Sequence, residues 1–373
     1  MDNCHAKDIA NHSTLDSDRL KELKAFDDGK AGVKGLVDAG ITNLPRIFIR
    51  PPEELIEEKN IGHLQVQVPV IDLSGIQGGD KSNSVIDEIR QHPQQASEEW
   101  GFFQVINHGI PQSLLDEMID GTHKFHEQDA EVKKQYYSRD LLRMVRYFSN
   151  GDLFESSTAN WNDCLAIKLT ASNQVEADEL PEVCRSPVID YASHVNKLGE
   201  TLFELLSEAL GLELDNLNAL GCAESCYFLL HYYPPCPEPD KTQGVKRHTD
   251  FSFLTILLQD QIGGLQVLYD NQWADVPLIP GSLTVNIGDL LQIISNDRFK
   301  SAEHRVLANR IGPRVSVPCF FGGVSTPARK YGPLKELISE ESPALYKEFT
   351  VPEYAQNFFS MPYDGSHRDI WKI

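Results

Sequence analysis

Two histidines and one aspartate are the residues of this sequence whose types and spacing most directly suggest chemistry. His248 and Asp250 stand two positions apart in KRHTDFSFLTILL, and His304 follows later in SAEHRV. In an extended strand the side chains of residues i and i+2 point to the same side, so His248 and Asp250 can both face a barrel interior. Two imidazoles and one carboxylate can occupy one face of a ferrous ion and leave the opposite face open. The pattern predicts an iron site at these three residues, although His-x-Asp by itself is a weak motif.

Residues suited to binding a carboxylate lie near the second histidine. Arg314 and Ser316 are two positions apart in a strand-like segment, so their side chains share a face. A guanidinium binds a carboxylate through two charge-assisted hydrogen bonds, and an adjacent hydroxyl suits the same anion. Upstream, Tyr233 of HYYPPCP can bring its hydroxyl to that anion. The sequence therefore offers three metal ligands together with a carboxylate receptor.

These residues lie within a longer set of motifs that resembles the plant 2-oxoglutarate- and Fe(II)-dependent dioxygenases. The nearest likeness is to the branch called 1-aminocyclopropane-1-carboxylate oxidase homologues, and it runs from about Gly32 to about Phe358. The motifs are VKGLVDAGI (33–41), VPVIDL (68–73), EEWGFFQVINHGI (98–110), HYYPPCP (231–237), HTDFSFLTILLQDQIGGLQVL (248–268), GDLLQIISND (288–297) and HRVLANR (304–310). Together they are highly specific.

The resemblance implies an enzyme that oxidises a small plant specialised metabolite while 2-oxoglutarate and O2 become succinate and CO2. Hydroxylation is the first expectation and O-demethylation the second, with ascorbate as the expected reductant. Fe(II) would be bound by the three predicted ligands, and the distal carboxylate of 2-oxoglutarate by Arg314, Ser316 and Tyr233. The expected substrate pocket is lined by Tyr147, Leu229, Phe251 and Phe320.

Two positions depart from the family pattern. His231 stands where the family usually has Asn, close to the bound cosubstrate, so His231 is expected beside the site and could replace that hydrogen bond. Pro318 stands where the family has a small residue. Because proline cannot donate to a ladder, it predicts a sheet edge or a bulge. His108, in INHGI, is interpreted as a structural residue.

Two alternatives remain open at this point. The first is a true 1-aminocyclopropane-1-carboxylate oxidase, which uses ascorbate instead of 2-oxoglutarate; the long N-terminal extension and the double tyrosine of HYYPPCP argue against it. The second is a jelly-roll binding protein that has lost catalysis. An intact set of metal ligands and an intact Arg-x-Ser pair argue against that interpretation.

The fold class implied by the resemblance is mixed α/β with a mainly β core. A distorted double-stranded β-helix, or jelly roll, would be supported by an N-terminal helical layer and a long central helix. The expected organisation is a disordered tail (1–15), an N-terminal helical and mixed region (16–215), the jelly-roll core (216–330) and a C-terminal helical segment (331–373).

Local patterns position these elements along the chain. Helices are predicted up to Phe26, over Ala31–Asp38, over Ser84–Trp100, from Pro111, from Ser186-Pro187 to Gly211, and over Leu334–Phe359 with breaks at Pro343 and Pro352. An extended connector is predicted around Pro45, Pro51 and Pro52. Strands are predicted at Val66–Leu73, FFQVINH, Met144–Phe148, Leu165–Leu169, YFLLHYY, FLTILL, GLQVLY, QWADV, LTVNI, LLQII, HRVL and RVSVPCFF.

Composition narrows the classes of partner. The 373-residue chain has a formal charge of −21 and no run of basic residues, which disfavours nucleic acid and anionic membranes as partners. Seven scattered cysteines without a CxxC pair indicate free thiols or small buried side chains rather than a zinc site. No signal peptide or membrane span is recognisable, so a reduced cytoplasmic monomer that binds small molecules is expected.

Overall fold

The computed structural model describes residues 17–64, 68–76, 100–170, 176–323, 329–360 and 366–373. The predicted tail at 1–15 and nearly all of the predicted helix at Ser84–Trp100 lie outside the described residues. The described strands are β1 (Gly62–Leu64), β2 (Val70–Asp72), β3 (Phe102–Ile106), β4 (Val145–Ser149), β5 (Asp163–Thr170), β6 (Ser225–Tyr233), β7 (Val245–His248), β8 (Leu254–Gln259), β9 (Leu265–Tyr269), β10 (Gln272–Asp275), β11 (Leu283–Ile287), β12 (His304–Val306), β13 (Arg314–Gly322), β14 (Lys330–Tyr331) and β15 (Phe349–Thr350).

Thirteen of these strands form two sheets whose inner faces meet. The larger sheet has the order β2-β3-β11-β8-β13-β6-β5-β4, and the smaller has the order β1-β10-β9-β12-β7. Apolar side chains of both sheets form one shared cluster, with Phe102 and Leu257 from the larger sheet and Val267 and Val306 from the smaller. Because each sheet buries alternate residues against the other, the strands that follow Cys226 read as short alternating segments. The predicted mixed α/β class with a jelly-roll core is confirmed.

Helices cover the outer face of the larger sheet. The described helices are α1 (Ser17–Gly29), α2 (Gly32–Asp38), α3 (Pro52–Asn60), α4 (Gln112–His126), α5 (Ala130–Lys134), α6 (Glu182–Ala209), α7 (Asn216–Ala219), α8 (Asp289–Ile294) and α9 (Val351–Ser360). Gly121 of α4 faces Pro187 of α6, where an added Cβ would lie 3.1 Å from the proline ring. Glycine at this point therefore lets the two long helices approach closely. Among the described residues, no helix is both long and apolar enough to cross a lipid bilayer.

The central helix is the predicted one, but it begins earlier than Ser186-Pro187. It starts at Glu182 after the N-cap Pro181 and contains Pro187 within its second turn. Proline in that position removes only one backbone donor, so the preceding turn can stay helical. The helix ends as predicted before Gly211, whose φ of +77° is in the left-handed region that favours glycine.

Three segments differ from their predicted structure. LLQII lies in helix α8 and not in a strand, because a short apolar run that is buried all round carries no period to distinguish the two. The connector after Pro45 is not extended throughout, since Pro52 occupies the first position of α3, which proline tolerates. Within the predicted helical stretch Leu334–Phe359, all of which is described, one α-helix is present, α9, with Pro352 at its second residue.

Pro318 lies in the interior of the larger sheet, so the prediction of a sheet edge was wrong. Strand β13 pairs with β8 on one side and β6 on the other, and Pro318 is opposite Leu257 of β8. The pairing with β6 runs through Ser316 and resumes at Cys319, and it omits the two residues between them. The sheet accommodates the missing donor by a local gap in one ladder, without a register shift.

The cysteines are not all free, which corrects the prediction. Cys226 of β6 and Cys319 of β13 form a disulfide between neighbouring strands. Cys164, Cys184, Cys222 and Cys236 are buried free thiols, as expected of small apolar side chains. The pair was invisible in the sequence because 93 positions separate its members and only strand pairing brings them together.

His126 ties helix α4 to the sheet and predicts a pH dependence of stability. It is fully buried, bonds the Leu230 carbonyl at 3.0 Å and stacks on Tyr232 at 5.0 Å, and burial lowers its pKa to about 3. Below about pH 6.5 His126 binds a proton in the unfolded chain but stays neutral in the native state. The free energy of unfolding therefore decreases as the pH falls from about 6.5 towards 3. His126→Gln is expected to reduce the slope of unfolding free energy against pH by about 1.4 kcal/mol per pH unit in that window.

Urea denaturation at several pH values between about 4 and 7 measures that slope. His194→Gln is the matched control, because His194 is exposed on α6. Equal slopes for wild type and His126→Gln would contradict the prediction.

Candidate metal and cosubstrate site

The three predicted metal ligands converge where the two sheets meet. His248 ends β7 and is directly opposite His304, which begins β12, while Asp250 follows β7 on the way to β8. The Nε2 atoms of His248 and His304 lie 3.6 and 3.4 Å from Asp250 Oδ1. Ligands of a first-row metal at about 2.1 Å can be at most about 4.2 Å apart, so both distances suit a shared ion. Of the described residues, this is the group of histidine, cysteine and carboxylate side chains that could hold a metal.

Both imidazoles are oriented by backbone carbonyls. His248 Nδ1 lies 2.8 Å from the Lys246 carbonyl, and His304 Nδ1 lies 3.1 Å from the Ala302 carbonyl. A carbonyl oxygen can only accept, so in the neutral ring each Nδ1 carries the proton and each Nε2 keeps its lone pair. Such hydrogen bonds commonly fix the tautomer and ring orientation of metal-binding histidines. The residues present therefore fit a cation ligated by two Nε2 atoms and one carboxylate.

The charges of the site favour a cation at neutral pH. Burial raises the pKa of Asp250, but the adjacent His304 and His248 outweigh it and hold that pKa well below its ordinary value. Burial lowers the pKa of His248 to about 4, and the charge of His304 adds to this effect. For His304, burial lowers the pKa, but the Asp250 carboxylate overrides it and raises it above the ordinary value. Asp250 is thus ionised and His248 neutral, as metal ligands must be.

Two residues that sequence reasoning missed orient the carboxylate ligand. Thr255 of β8 and Asn286 of β11 each donate a hydrogen bond of 2.7 Å to Asp250 Oδ2. They leave Oδ1 directed at the two histidines. Both are polar residues in mainly apolar strands, and that was the available signal.

Removing one of these donors is expected to weaken metal binding. Thr255→Val keeps the shape of the side chain but loses the bond to Asp250, so Fe(II) affinity should fall about 10- to 100-fold. An anaerobic Fe(II) titration measures the change. Thr201→Val, on the outer helix α6, is the control and should leave the affinity unchanged. Unchanged affinity in Thr255→Val would show that the bond does not position the ligand.

A buried network connects the C-terminal segment to the turn that carries Asp250. Asp289, at the start of α8, donates its backbone N–H to the Asp250 carbonyl at 2.9 Å. Its Oδ2 accepts from Thr249 at 3.0 Å and from Tyr354 at 3.2 Å, and lies 2.7 Å from His367 Nε2. All of these residues are almost fully buried. The end of the chain thus holds the residue between two of the metal ligands.

The predicted carboxylate receptor is also assembled by the structure. Arg314 is fully buried, and its Nη1 and Nη2 donate to Ser316 Oγ at 3.0 Å and to Gln259 Oε1 at 2.9 Å. Tyr233 is directly opposite Arg314 on β6, and its hydroxyl accepts from Ser316 Oγ at 3.4 Å. Among the described residues, Arg314 Nε has no hydrogen-bond partner. A buried cationic group with a free donor suits an anionic ligand, so these residues fit the distal carboxylate of 2-oxoglutarate.

His231 lies beside this receptor, opposite Ser316. Burial lowers the pKa of His231 to about 3, and the charge of Arg314 acts in the same direction. The ring is therefore neutral, and its Nδ1 has no hydrogen-bond partner in the part of the chain that the structure describes. It offers one unused hydrogen bond on the inner face of the sheet, where the family has an amide.

The four predicted pocket residues divide between two environments. Leu229 and Phe320 lie on the inner face, because Ser316 and His231 on the same strands do. Phe251 stacks on Tyr354 of α9 with ring centroids 5.5 Å apart.

His108 bonds the Gly281 carbonyl at 2.9 Å, in keeping with its structural interpretation.

Tyr147 does not face the inner side, which corrects its prediction as a pocket residue. Its ring packs against Phe125 and His126 of α4 at 5.8 and 5.9 Å on the outer face. The next residue, Phe148, is opposite Cys164 and thereby in the same row as His231. A one-residue difference in position along a strand selects the opposite face.

Comparisons with known proteins agree with this geometry. Residues 224–323 match the 2OG-Fe(II) oxygenase superfamily, and residues 68–184 match the non-haem dioxygenase in morphine synthesis N-terminal family. The chain is 53% identical to 1-aminocyclopropane-1-carboxylate oxidase homolog 1 of Arabidopsis thaliana, over 94% of this chain and 95% of that one. It is 51% identical to deacetoxyvindoline 4-hydroxylase of Catharanthus roseus, over 96% and 91%. A crystal structure of JOX2 in complex with 2OG, Fe and JA is similar at a TM-score of 0.80 and 30% identity, covering 92% of this chain and 97% of that one.

Proposed function

The chain belongs to the 2OG-Fe(II) oxygenase superfamily, and from that membership we propose which of its residues carry the reaction and what it oxidises. The protein is an oxidoreductase of the dioxygenase class that uses Fe(II), 2-oxoglutarate and O2 on a small-molecule substrate.

His248, Asp250 and His304 hold the Fe(II) ion in this proposal. The observation that carries it is the convergence of two Nε2 atoms on Asp250 Oδ1 at 3.4 and 3.6 Å. Arg314, Ser316 and Tyr233 bind the distal carboxylate of 2-oxoglutarate, supported by the unused Nε donor of the buried Arg314. When bound, Fe(II) and 2-oxoglutarate supply an oxidant for C–H bonds and yield succinate and CO2.

The chain itself positions and shields the reaction. Thr255 and Asn286 direct one oxygen of Asp250 at the metal position, and the backbone carbonyls orient the imidazoles. The apolar ring of Phe102 limits access of water on one side of the site, because it packs on His304 with ring centroids 5.1 Å apart. Exclusion of water strengthens every charge interaction inside such a site.

The substrate in this proposal is a small plant specialised metabolite, which is hydroxylated or O-demethylated. Identity of about half with a hydroxylase from Catharanthus roseus supports hydroxylation first. We further propose that the protein is a cytoplasmic monomer and that ascorbate is its reductant. The chain is proposed to divide into four regions, residues 1–15, 16–215, 216–330 and 331–373. Sedimentation of the purified chain tests the oligomeric state.

An anaerobic titration tests the central assignment. Purified apoprotein receives Fe(II) and then 2-oxoglutarate, while the visible metal-to-ligand charge-transfer band is followed. Appearance of the band is the expected result. If Fe(II) binds without a band on addition of 2-oxoglutarate, the ascorbate-dependent interpretation takes its place. Absence of Fe(II) binding would overturn the assignment of the three ligands.

A further inference from the structure

We propose that Arg146, assisted by Lys168, binds a carboxylate group of the substrate on the inner face of the larger sheet. This deepens the function proposed above and rests on it, because it names the chemical class of the compound that is oxidised. The site is separate from the receptor at Arg314, which lies on β13, whereas Arg146 lies on β4 at the far edge of the same sheet.

Arg146 is a buried cation without a carboxylate partner. Its side chain is 7% exposed; Nη2 donates to the Tyr227 hydroxyl at 2.8 Å, and the guanidinium lies 4.3 Å from the centre of the Phe148 ring. No carboxylate of the described residues forms an ion pair with it. Arginine is rarely buried without an anion, because removing the charge from water costs free energy that only a counter-ion recovers.

Lys168 adds a second unpaired positive charge on the same face. Arg146 is opposite Ala166 of β5, and Lys168 follows two positions later, so all three side chains share a side of the sheet. Among the described residues, Lys168 forms no ion pair with a carboxylate. In a chain with 55 acidic and 34 basic residues, two adjacent cations that pair with no carboxylate in the described parts of the chain are an unusual local excess. The excess favours an anion from solution.

The inner face at this point is accessible. Along β6 the residues that face the helices are buried, whereas Tyr227, Leu229 and His231, which face inward, are partly exposed. A closed core would bury both sets. The inner side of β6 therefore borders an open space between the sheets, into which a small molecule can enter.

A continuous row of side chains connects Arg146 with the metal ligands. Arg146 contacts Tyr227, Tyr227 is opposite Phe320 on β13, and Phe320 is opposite Thr255 on β8. Thr255 in turn donates to Asp250. Neighbouring strands are about 4.8 Å apart, so Tyr227 lies about 10 Å from Thr255 across the sheet. Because the Arg146 guanidinium lies at the Tyr227 hydroxyl, a carboxylate bound there would be on the order of 10 Å from the side of the sheet that carries the metal ligands. The substrate carbon presented to the metal would lie at about that distance from the carboxylate.

The side chains near Arg146 and Lys168 indicate the chemical character of the rest of the ligand. Phe148, Leu229 and Phe320 supply apolar and aromatic surface between the cations and the metal ligands. A guanidinium fork matches the two oxygens of a carboxylate. The geometry thus favours a lipophilic or aromatic carboxylic acid, bound by its anionic end and oxidised near the other.

Matched acids and methyl esters test this inference. Enzyme loaded anaerobically with Fe(II) and 2-oxoglutarate is titrated with phenylpropanoate, phenylbutanoate and phenylhexanoate, each beside its methyl ester, and the shift of the charge-transfer band gives the dissociation constant. At least one acid is expected to bind about 10-fold or more tightly than its ester. Arg146→Gln should abolish that preference and Lys168→Gln should reduce it, with the affinity for 2-oxoglutarate unchanged.

Arg143→Gln is the matched control, because Arg143 is exposed three positions earlier and should leave the preference intact. The inference is overturned if esters bind as well as acids, if no acid shifts an intact band, or if the preference survives in Arg146→Gln. If Arg146→Gln fails to fold, two measurements test the inference in its place. They are the ratio of the ester and acid dissociation constants in the wild type, and the change of that ratio in Lys168→Gln. Failure of the function proposed above is distinguishable, since the band would then be missing before any acid is added.

Discussion

Replacement of His304 by alanine is expected to lower Fe(II) affinity by more than about 100-fold, the upper end of the effect of losing a residue that merely orients a ligand. The variant lacks His304 Nε2, which lies 3.4 Å from Asp250 Oδ1, beside His248 Nε2 at 3.6 Å from the same oxygen. The two remaining ligands, His248 and Asp250, no longer occupy a complete face of the ion. Succinate formation from 2-oxoglutarate should fall to background.

An anaerobic Fe(II) titration and a succinate assay measure these two effects. His194→Ala is the matched control, because His194 is exposed on the outer helix α6 and its removal takes away an imidazole without touching the site. Fe(II) affinity within a few-fold of wild type in His304→Ala would remove His304 from the set of ligands.

Replacement of Arg314 by alanine is expected to weaken the binding of 2-oxoglutarate by about 100-fold or more while Fe(II) binding is retained. Charge-assisted hydrogen bonds are each worth about 1.5–3 kcal/mol, and two are lost. The burial of Arg314 increases the effect, because water cannot replace the missing donors. Arg314→Lys keeps the charge without the planar fork and should lie between wild type and alanine.

The concentration of 2-oxoglutarate that gives half of the charge-transfer band measures this effect. Arg310→Ala is the matched control, since Arg310 lies four residues earlier and is exposed to solvent. If Arg314→Ala and Arg310→Ala need the same concentration as wild type, Arg314 does not bind the cosubstrate.

The candidate site was predictable from sequence where two of its residues share one strand or its immediate continuation. His248 with Asp250, and Arg314 with Ser316, follow the two-residue period of extended chain, which is a local property. Tyr233 and Leu229 could be placed by the same period once HYYPPCP was recognised. The strand-rich core was predictable for the same reason, because its strands alternate and are separated by turns such as Asp270-Asn271, both of which have positive φ.

The residues that act across strands could not be predicted in this way. Thr255 and Asn286 reach Asp250 only because β8 and β11 are paired in one register, and Gln259 reaches Arg314 through the pairing of β8 with β13. A strand that slipped by one residue would present the opposite set of side chains. Tyr147 shows the consequence: its neighbour Phe148 faces the metal side, and nothing in their local sequence distinguishes the two.

The sequence by itself determined which residue types carry the chemistry, where the strands and long helices lie, and the family of the protein. Only the tertiary structure decided the helix at Asp289–Ile294, the disulfide between Cys226 and Cys319, the contact of His367 with Thr249, and the burial of Arg146. The physical reason is that periodicity and turn chemistry act over a few residues. Register, burial and ion pairing depend on segments far apart in the chain, whose alignment the whole fold settles together.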